Sequence, residues 1–288
     1  MQEKTYSVTQ AGPLLPFLLE QIRGQSRNNV KSLLTRGQVQ VDGVTVTRHD
    51  HPLEPGQLVV IRPQGSREAK APFPVLYEDQ RLLVIEKPAG LLSMASDREK
   101  VRTAYRMATY YVRRSQPKGR LFIVHRLDRD TSGVLLFAKD EQTKRAYQDR
   151  WDTLVSRRGY LAVVEGRPPR EADTVRTLLR ENAAHKVYSV HAGGKEAVTH
   201  YRTVQSGSRY TLLEVDIDTG RKNQIRAHLS ELGCPVAGDK TYGAAADPLG
   251  RLCLHAHELR LTDPFTGEER AFRAEPPRGF RSLTRPGR

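Results

Sequence analysis

The chain has 288 residues and a mass of 32.5 kDa, more than one small module uses, so a large unit with a small companion is expected. Apolar residues make up 38% and charged residues 28%, which excludes a disordered composition and leaves enough apolar surface for a core. Lys plus Arg (47) against Asp plus Glu (33) gives a formal charge of +14, an excess that favours a polyanionic partner, because neutralised phosphates release condensed counterions.

Leu14, Leu18, Leu19 and Ile22 keep helical spacing and Gly24 follows as a terminator. Ser26 can cap a second helix with Val30, Leu33 and Leu34 inward and Gly37 just past its end. Two short strands follow, 39–41 and 44–46, joined by Asp42-Gly43, a pair suited to a hairpin turn that needs positive φ twice. Pro55-Gly56 turns the chain into a strand at 58–61. These elements form one module, 1–63, with Arg23, Arg27, Lys31 and Arg36 on its helices. Residues 64–74, rich in Pro, Ser, Lys and Arg, read as a linker.

From residue 75 the pattern changes. Strands are expected at 82–85, 121–124, 134–138, 160–164, 212–217 and 252–261, and helices at 101–112, 141–154 and 222–232, the last stopped by Gly233. The spacing lacks the steady strand–helix alternation of a doubly wound sheet. An α+β domain on a mixed, largely antiparallel sheet is expected over 75–276, followed by a frayed basic tail, 277–288.

The most informative stretch is His125-Arg126-Leu127-Asp128-Arg129-Asp130-Thr131-Ser132-Gly133, between two apolar strands. A carboxylate on such a short connection is held by a rigid scaffold. Flanking Arg126 and Arg129 favour its ionised form, which suits a nucleophile or base. A salt-bridged turn without chemistry is the alternative on these residues alone.

The string resembles the His-Arg-Leu-Asp-x-x-Thr-Ser-Gly signature of the RluA-type pseudouridine synthases. Ile85-Glu86-Lys87-Pro88-Ala89-Gly90 is similar to that family's Lys-Pro-x-Gly turn, and Tyr160-Leu161-Ala162-Val163-Val164-Glu165-Gly166 to its Tyr-bearing strand. Gly220-Arg221-Lys222-Asn223-Gln224-Ile225-Arg226-Ala227-His228 is similar to its third motif. The stretches 235–243, 254–256 and 263–268 follow in the family's order, and the N-terminal module resembles the S4 RNA-binding domain. The resemblance implies a pseudouridine synthase fold, isomerisation of uridine in RNA, and no cofactor or metal. It implies Asp128 as the essential carboxylate, Tyr160 as an aromatic placed to stack on uracil and to help remove its C5 proton, and Arg226 as the partner of the Asp. It makes Arg126 the arginine that fills the gap left by a flipped base.

Arg126, Arg129, Arg221, Lys222 and Asn223 are then RNA contacts at the site, and Arg23, Arg27, Lys31 and Arg36 contacts on the module. Two departures stand out: Asn223, which can hydrogen-bond but carries no proton charge, occupies a position where His is common, and Arg158 one where Lys is common. His255 and His257 share a strand face but lack a third ligand at metal spacing. Cys234 and Cys253 rule out a disulfide scaffold and have no activating neighbour. A glycosidase needs two facing carboxylates, which Asp128 and Asp130 on one turn do not supply.

The implied partner is structured RNA, large-subunit ribosomal RNA first and tRNA second, with no DNA and no membrane. The rival readings are an inactive RNA-binding protein of the same fold and an RNA-glycoside hydrolase. The composition shows no ~20-residue apolar run and no secretory leader, so a cytoplasmic protein is expected, a monomer by default.

Overall fold

The computed structural model describes residues 3–62, 71–96, 99, 102–116 and 118–286; most of the expected linker lies outside them. The chain forms two compact units, Met1–Pro72 with Ser93–Ile123, and Phe73–Leu92 with Val124–Arg288. No helix among the described residues is long and apolar enough to cross a membrane.

In the first unit the helices Leu14–Gln21 and Arg27–Thr35 lie where the apolar spacing puts them. The Ser26 hydroxyl accepts the Asn29 amide at 3.2 Å, capping the second helix. Asp42 (φ 47°) and Gly43 (φ 86°) make the hairpin turn with both residues left-handed. Leu14, Leu18, Val30 and Leu34 pack with Val39, Val41, Val59 and Ile61 in one core. The sheet order is Lys4–Ser7, Leu58–Ile61, Val39–Val41, Val44–Thr45; its first strand escaped the sequence reading because its side chains are mostly exposed.

The helix Ala104–Ser115 also belongs to this unit, although the sequence boundaries put it with the second. Gly43 explains the attachment, since a Cβ there would sit 2.7 Å from the Tyr110 carbonyl oxygen. The Tyr110 hydroxyl donates to Gln40 Oε1 at 2.8 Å and accepts from Arg62.

The second unit is built on one large sheet. Its order runs Val187–Val190, Ala172–Glu181, Lys195–Ser206, Tyr210–Ile217, Val155–Glu165, Leu254–Thr262, Ser132–Ala138, Leu82–Lys87, Val75–Glu78, with Glu269–Arg273 added against Leu254–Thr262. Along this path the pairing of Ser132–Ala138 with Leu254–Thr262 is parallel and the others are antiparallel. This is the α+β, mixed and largely antiparallel architecture expected. Leu161, Val163, Leu213 and Val215 on the central strands pack with Ile225 and Leu229 of the helix Gln224–Glu231.

Three expectations need correcting. The segment 277–286 is not frayed: Gly279–Leu283 is a helix whose Phe280 is fully buried in the same core. The helix expected at 141–154 is two, Glu141–Gln148 and Trp151–Leu154, with Asp140 accepting the Thr143 amide at 2.7 Å to cap the first. The strands Ala172–Glu181 and Lys195–Ser206 were unforeseen because one of their faces is polar, so no continuous apolar run marks them.

Charge holds the sheet as well as apolar packing. Arg157 reaches Glu214 (2.6 Å), Asp216 (2.8 Å) and Glu258 (2.7 Å), while Glu258 also accepts from Arg260 (2.9 Å) and Arg273 (2.8 Å). Burial alone would raise the Glu258 carboxyl, but the hydrogen bonds from Arg260 and Arg273 and the charge of Arg157 hold it below the usual range. A carboxyl depressed in the folded state stabilises above its unfolded value and loses that contribution as pH falls through the folded one. Glu258→Gln should therefore cost about 3 kcal/mol at neutral pH. Its melting temperature should also fall less on acidification than that of the wild type, measured by calorimetry from neutral pH downward.

Candidate active site

The loop from His125 to Thr131 is fastened at three points. At its start, His125 Nε2 accepts the Leu136 amide at 3.1 Å and the ring lies 5.2 Å from Trp151. Desolvation, helped by the charge of Arg158, pushes its pKa down to about 4, so the ring is a neutral acceptor. In the middle, fully buried Lys87 donates to the carbonyls of Pro88 (3.0 Å), Leu91 (2.7 Å) and Arg129 (2.9 Å). Burial lowers Lys87 to about 7 against the pull of Asp130 and Asp128. The Lys-Pro-x-Gly turn thus serves as a clamp on the loop.

At its end, the loop runs into a buried relay. Ala274 O can only accept, so His255 Nε2 donates to it at 3.2 Å. Nδ1 of the same ring then accepts from the Ser132 hydroxyl at 2.8 Å, and Ser132 accepts from Arg251 Nη2 at 2.7 Å. His257 also meets Ala274 O, at 2.7 Å. Both histidines are occupied by the same carbonyl. Gly133 (φ 116°) leaves no room for a side chain, because a Cβ would stand 2.1 Å from Ala256 O.

Above this loop lies a cavity of about 180 Å³ into which Arg126, Asp128, Tyr160, Asn223 and Arg226 converge. Asp128 is the single carboxylate among the described residues lining it. Burial is the largest influence on Asp128 and raises its pKa; the charges of Arg226 and Arg126, the Asn223 amide and Lys87 oppose it without cancelling it. Arg126 favours the ionised form as expected, but burial outweighs it. Arg129 is not among these cations: it ion-pairs with Asp130 at 3.1 Å and does not line the cavity.

Arg226 is corrected as well, since its ion pair is with Asp239, not Asp128. The guanidinium fork meets the buried Asp239 carboxylate at 2.6 and 2.7 Å, and its remaining Nη1 donates to Asn223 Oδ1 at 2.8 Å. Its face lies 4.9 Å from the Tyr242 ring centroid. The charge is thereby fixed in place and acts on Asp128 through space.

Asn223 stands in the left-handed region (φ 51°), where Asn is tolerated well. It offers its amide to Asp128 and its side chain to Arg226, so the departure from His is accommodated as a brace. Gln224 holds the turn before it: Nε2 donates to Val198 O (2.9 Å) and Thr199 Oγ1 (3.0 Å), while Oε1 accepts from Thr219 (2.7 Å) and the Arg221 amide (3.1 Å). Arg221 and Lys222 are exposed at the rim, and Arg126 is exposed at the mouth. Burial lifts the Tyr160 phenol to about 12, keeping it protonated at neutral pH.

Sequence reasoning missed Asp239, Gln224 and Arg251. Asp239 sits within the stretch 235–243, but nothing in its spacing shows that helix Gln224–Glu231 carries Arg226 onto it. The remaining candidates, Arg23, Arg27, Lys31 and Arg36, are exposed on the first unit. Cys234 and Cys253 are buried, their thiols pushed up to about 11 by desolvation.

Residues 81–231 match the family model described as RNA pseudouridylate synthase. The chain belongs to the RNA pseudouridine synthase family and is an isomerase of RNA uridine. It is 30% identical over 287 residues to an uncharacterized RNA pseudouridine synthase of Aquifex aeolicus, covering 93% of this chain and 91% of that one. It is 31% identical over 285 residues to ribosomal large subunit pseudouridine synthase D of Nitrosomonas europaea, covering 92% and 83%. The fold is similar to that of human RNA pseudouridylate synthase domain containing 4, with a TM-score of 0.58 at 26% identity over 72% of this chain and 90% of that one.

Two outcomes are expected. Lys87→Met leaves three carbonyls without their donor and should cost about 2–4 kcal/mol in stability, with kcat reduced more than KM rises, measured by thermal melting and steady-state kinetics. Because Arg126 counters the burial of Asp128, Arg126→Gln should move the acidic limb of the kcat/KM profile to higher pH; a downward move would refute the charge assignment.

Proposed function

We propose that the protein isomerises uridine in large-subunit ribosomal RNA, with Asp128 as the essential carboxylate. The observation carrying this reading is a single carboxylate, desolvated yet ringed by Arg126, Arg226 and Lys87, in a cavity that also holds an aromatic ring. A flipped uridine brings its anionic backbone to the cations and its base to Tyr160. The C1′–N1 bond breaks, the base turns, C1′ bonds to C5, and the proton lost from C5 is balanced by one gained at N1. Nothing is oxidised and no group leaves.

Asp128 acts at the sugar, as a nucleophile on C1′ or as a base. Tyr160, a protonated phenol, stacks on the uracil and offers its hydroxyl; a phenolate taking the C5 proton is disfavoured at neutral pH by its raised pKa. Arg226 keeps the carboxylate ionised, and Arg126 at the mouth occupies the space vacated in the RNA stack. The lone carboxylate in the cavity favours isomerisation over hydrolysis, which calls for a second carboxylate across the sugar. The target follows from the likeness to ribosomal large subunit synthases, together with an S4-like first unit whose exposed Arg23, Arg27, Lys31 and Arg36 add RNA affinity in the cytoplasm.

The test is incubation of the whole chain with uridine-labelled large-subunit RNA and, separately, tRNA. Pseudouridine in the ribosomal RNA, abolished by Asp128→Asn with RNA binding retained, is the expected result. Free uracil would mean a hydrolase, and product confined to tRNA would move the target. Reversing Arg23, Arg27, Lys31 and Arg36 to Glu should weaken RNA binding about tenfold or more while leaving kcat within about twofold; an unchanged affinity would remove the first unit from RNA binding.

A further inference from the structure

The cavity over Asp128 borders a second groove of about 670 Å³, with Gly220, Arg221 and Lys222 lining both. Across from them, the groove is walled by the ends of the strands Ala172–Glu181 and Lys195–Ser206. Arg180, Lys195, Arg221 and Lys222 surround it, all exposed, against one carboxylate, Glu181.

The cations are partly set in position. Arg180 Nη2 donates to the Tyr188 hydroxyl at 3.0 Å and its guanidinium lies 5.7 Å from that ring centroid. Arg221 Nε donates to Glu196 O at 2.9 Å. Glu181 is taken up by Lys222 and by His185 at 2.7 Å, so its charge is already answered. The rim is kept low at Gly194, where a Cβ would stand 2.8 Å from Val190 Cγ2. Beneath, the Val187 amide donates to Tyr242 Oη at 3.0 Å, and Tyr242 lies under Arg226. Tyr242 thus touches one residue of each lining, Val187 of the groove and Arg226 of the cavity.

We propose that this groove binds the sugar–phosphate backbone of the nucleotides flanking the target uridine, with Arg180 and Lys195 as phosphate ligands. The proposal rests on reading the cavity as the uridine pocket. Extruding a base requires the adjoining strand to be held while stacking is lost, and exposed cations continuing away from the pocket mouth supply that grip along a backbone. Neither residue lies in any of the motifs quoted above.

Salt dependence of RNA binding by the full chain tests it, using a hairpin RNA with a uridine in its loop and fluorescence anisotropy from about 50 to 200 mM salt. Arg180→Glu with Lys195→Glu should weaken binding about tenfold or more at the low end. The log–log slope should flatten by roughly 1.4, two contacts at about 0.7 each. Arg180→Lys with Lys195→Arg should keep the wild-type slope, as should Arg209→Glu, an exposed cation outside the groove. If the reversed variant melts early, Arg180→Gln with Lys195→Gln is read the same way. An unchanged slope in a folded variant overturns the groove. Binding needs no turnover, so a flattened slope without pseudouridine in the wild type would sink the catalytic reading alone, and normal turnover with an unchanged slope the groove alone.

Discussion

The structure is organised around a contest between desolvation and charge at Asp128. Withdrawing a carboxylate from water raises its proton affinity, and the three cations and one amide around it only partly offset that. Such a group is less comfortable as an anion than a surface aspartate, and so a stronger base. The offset works only if each cation is fixed, and most of the surrounding network has that task. Arg226 is locked by Asp239 and Asn223, and Lys87 is spent on three carbonyls. Neither has freedom to collapse onto Asp128 and quench it.

The same logic explains how a charged site coexists with a stable sheet. Several neighbouring cations have an acceptor of their own. Arg129 turns to Asp130, Arg251 to Ser132, Arg157 to a triplet of acids on neighbouring strands. Through Gln224 and Asn223, the turn before helix Gln224–Glu231 converts backbone geometry into electrostatics by aiming an amide and an arginine at one place.

Much of this was legible in the sequence, for identifiable reasons. The Asp42-Gly43 turn, the Ser26 cap and the apolar runs at Leu82–Lys87 and Ser132–Ala138 are local signals, and they produced the elements they promise. The ordered motifs located Asp128, Tyr160 and Arg226 in one cavity. Partnerships made across the fold were not legible. Asp239 could not be matched to Arg226 without knowing how a helix crosses the sheet, and the direction of the Asp128 shift depends on burial that neighbouring residues in sequence do not report. The polar-faced strands Ala172–Glu181 and Lys195–Ser206 escaped for the converse reason: their partners, not their own composition, make them strands.

The parallel pairing of Ser132 and Gly133 with His255 and Ala256 joins positions 123 residues apart in the chain. Contacts of such span close slowly, since the entropy of the intervening loop is lost before they form. During synthesis on a ribosome, Asp128 would emerge long before the strand that anchors its loop. The half-made protein therefore carries the Asp128 loop unanchored, and the cavity around it is completed only once the strand Leu254–Thr262 has been laid alongside.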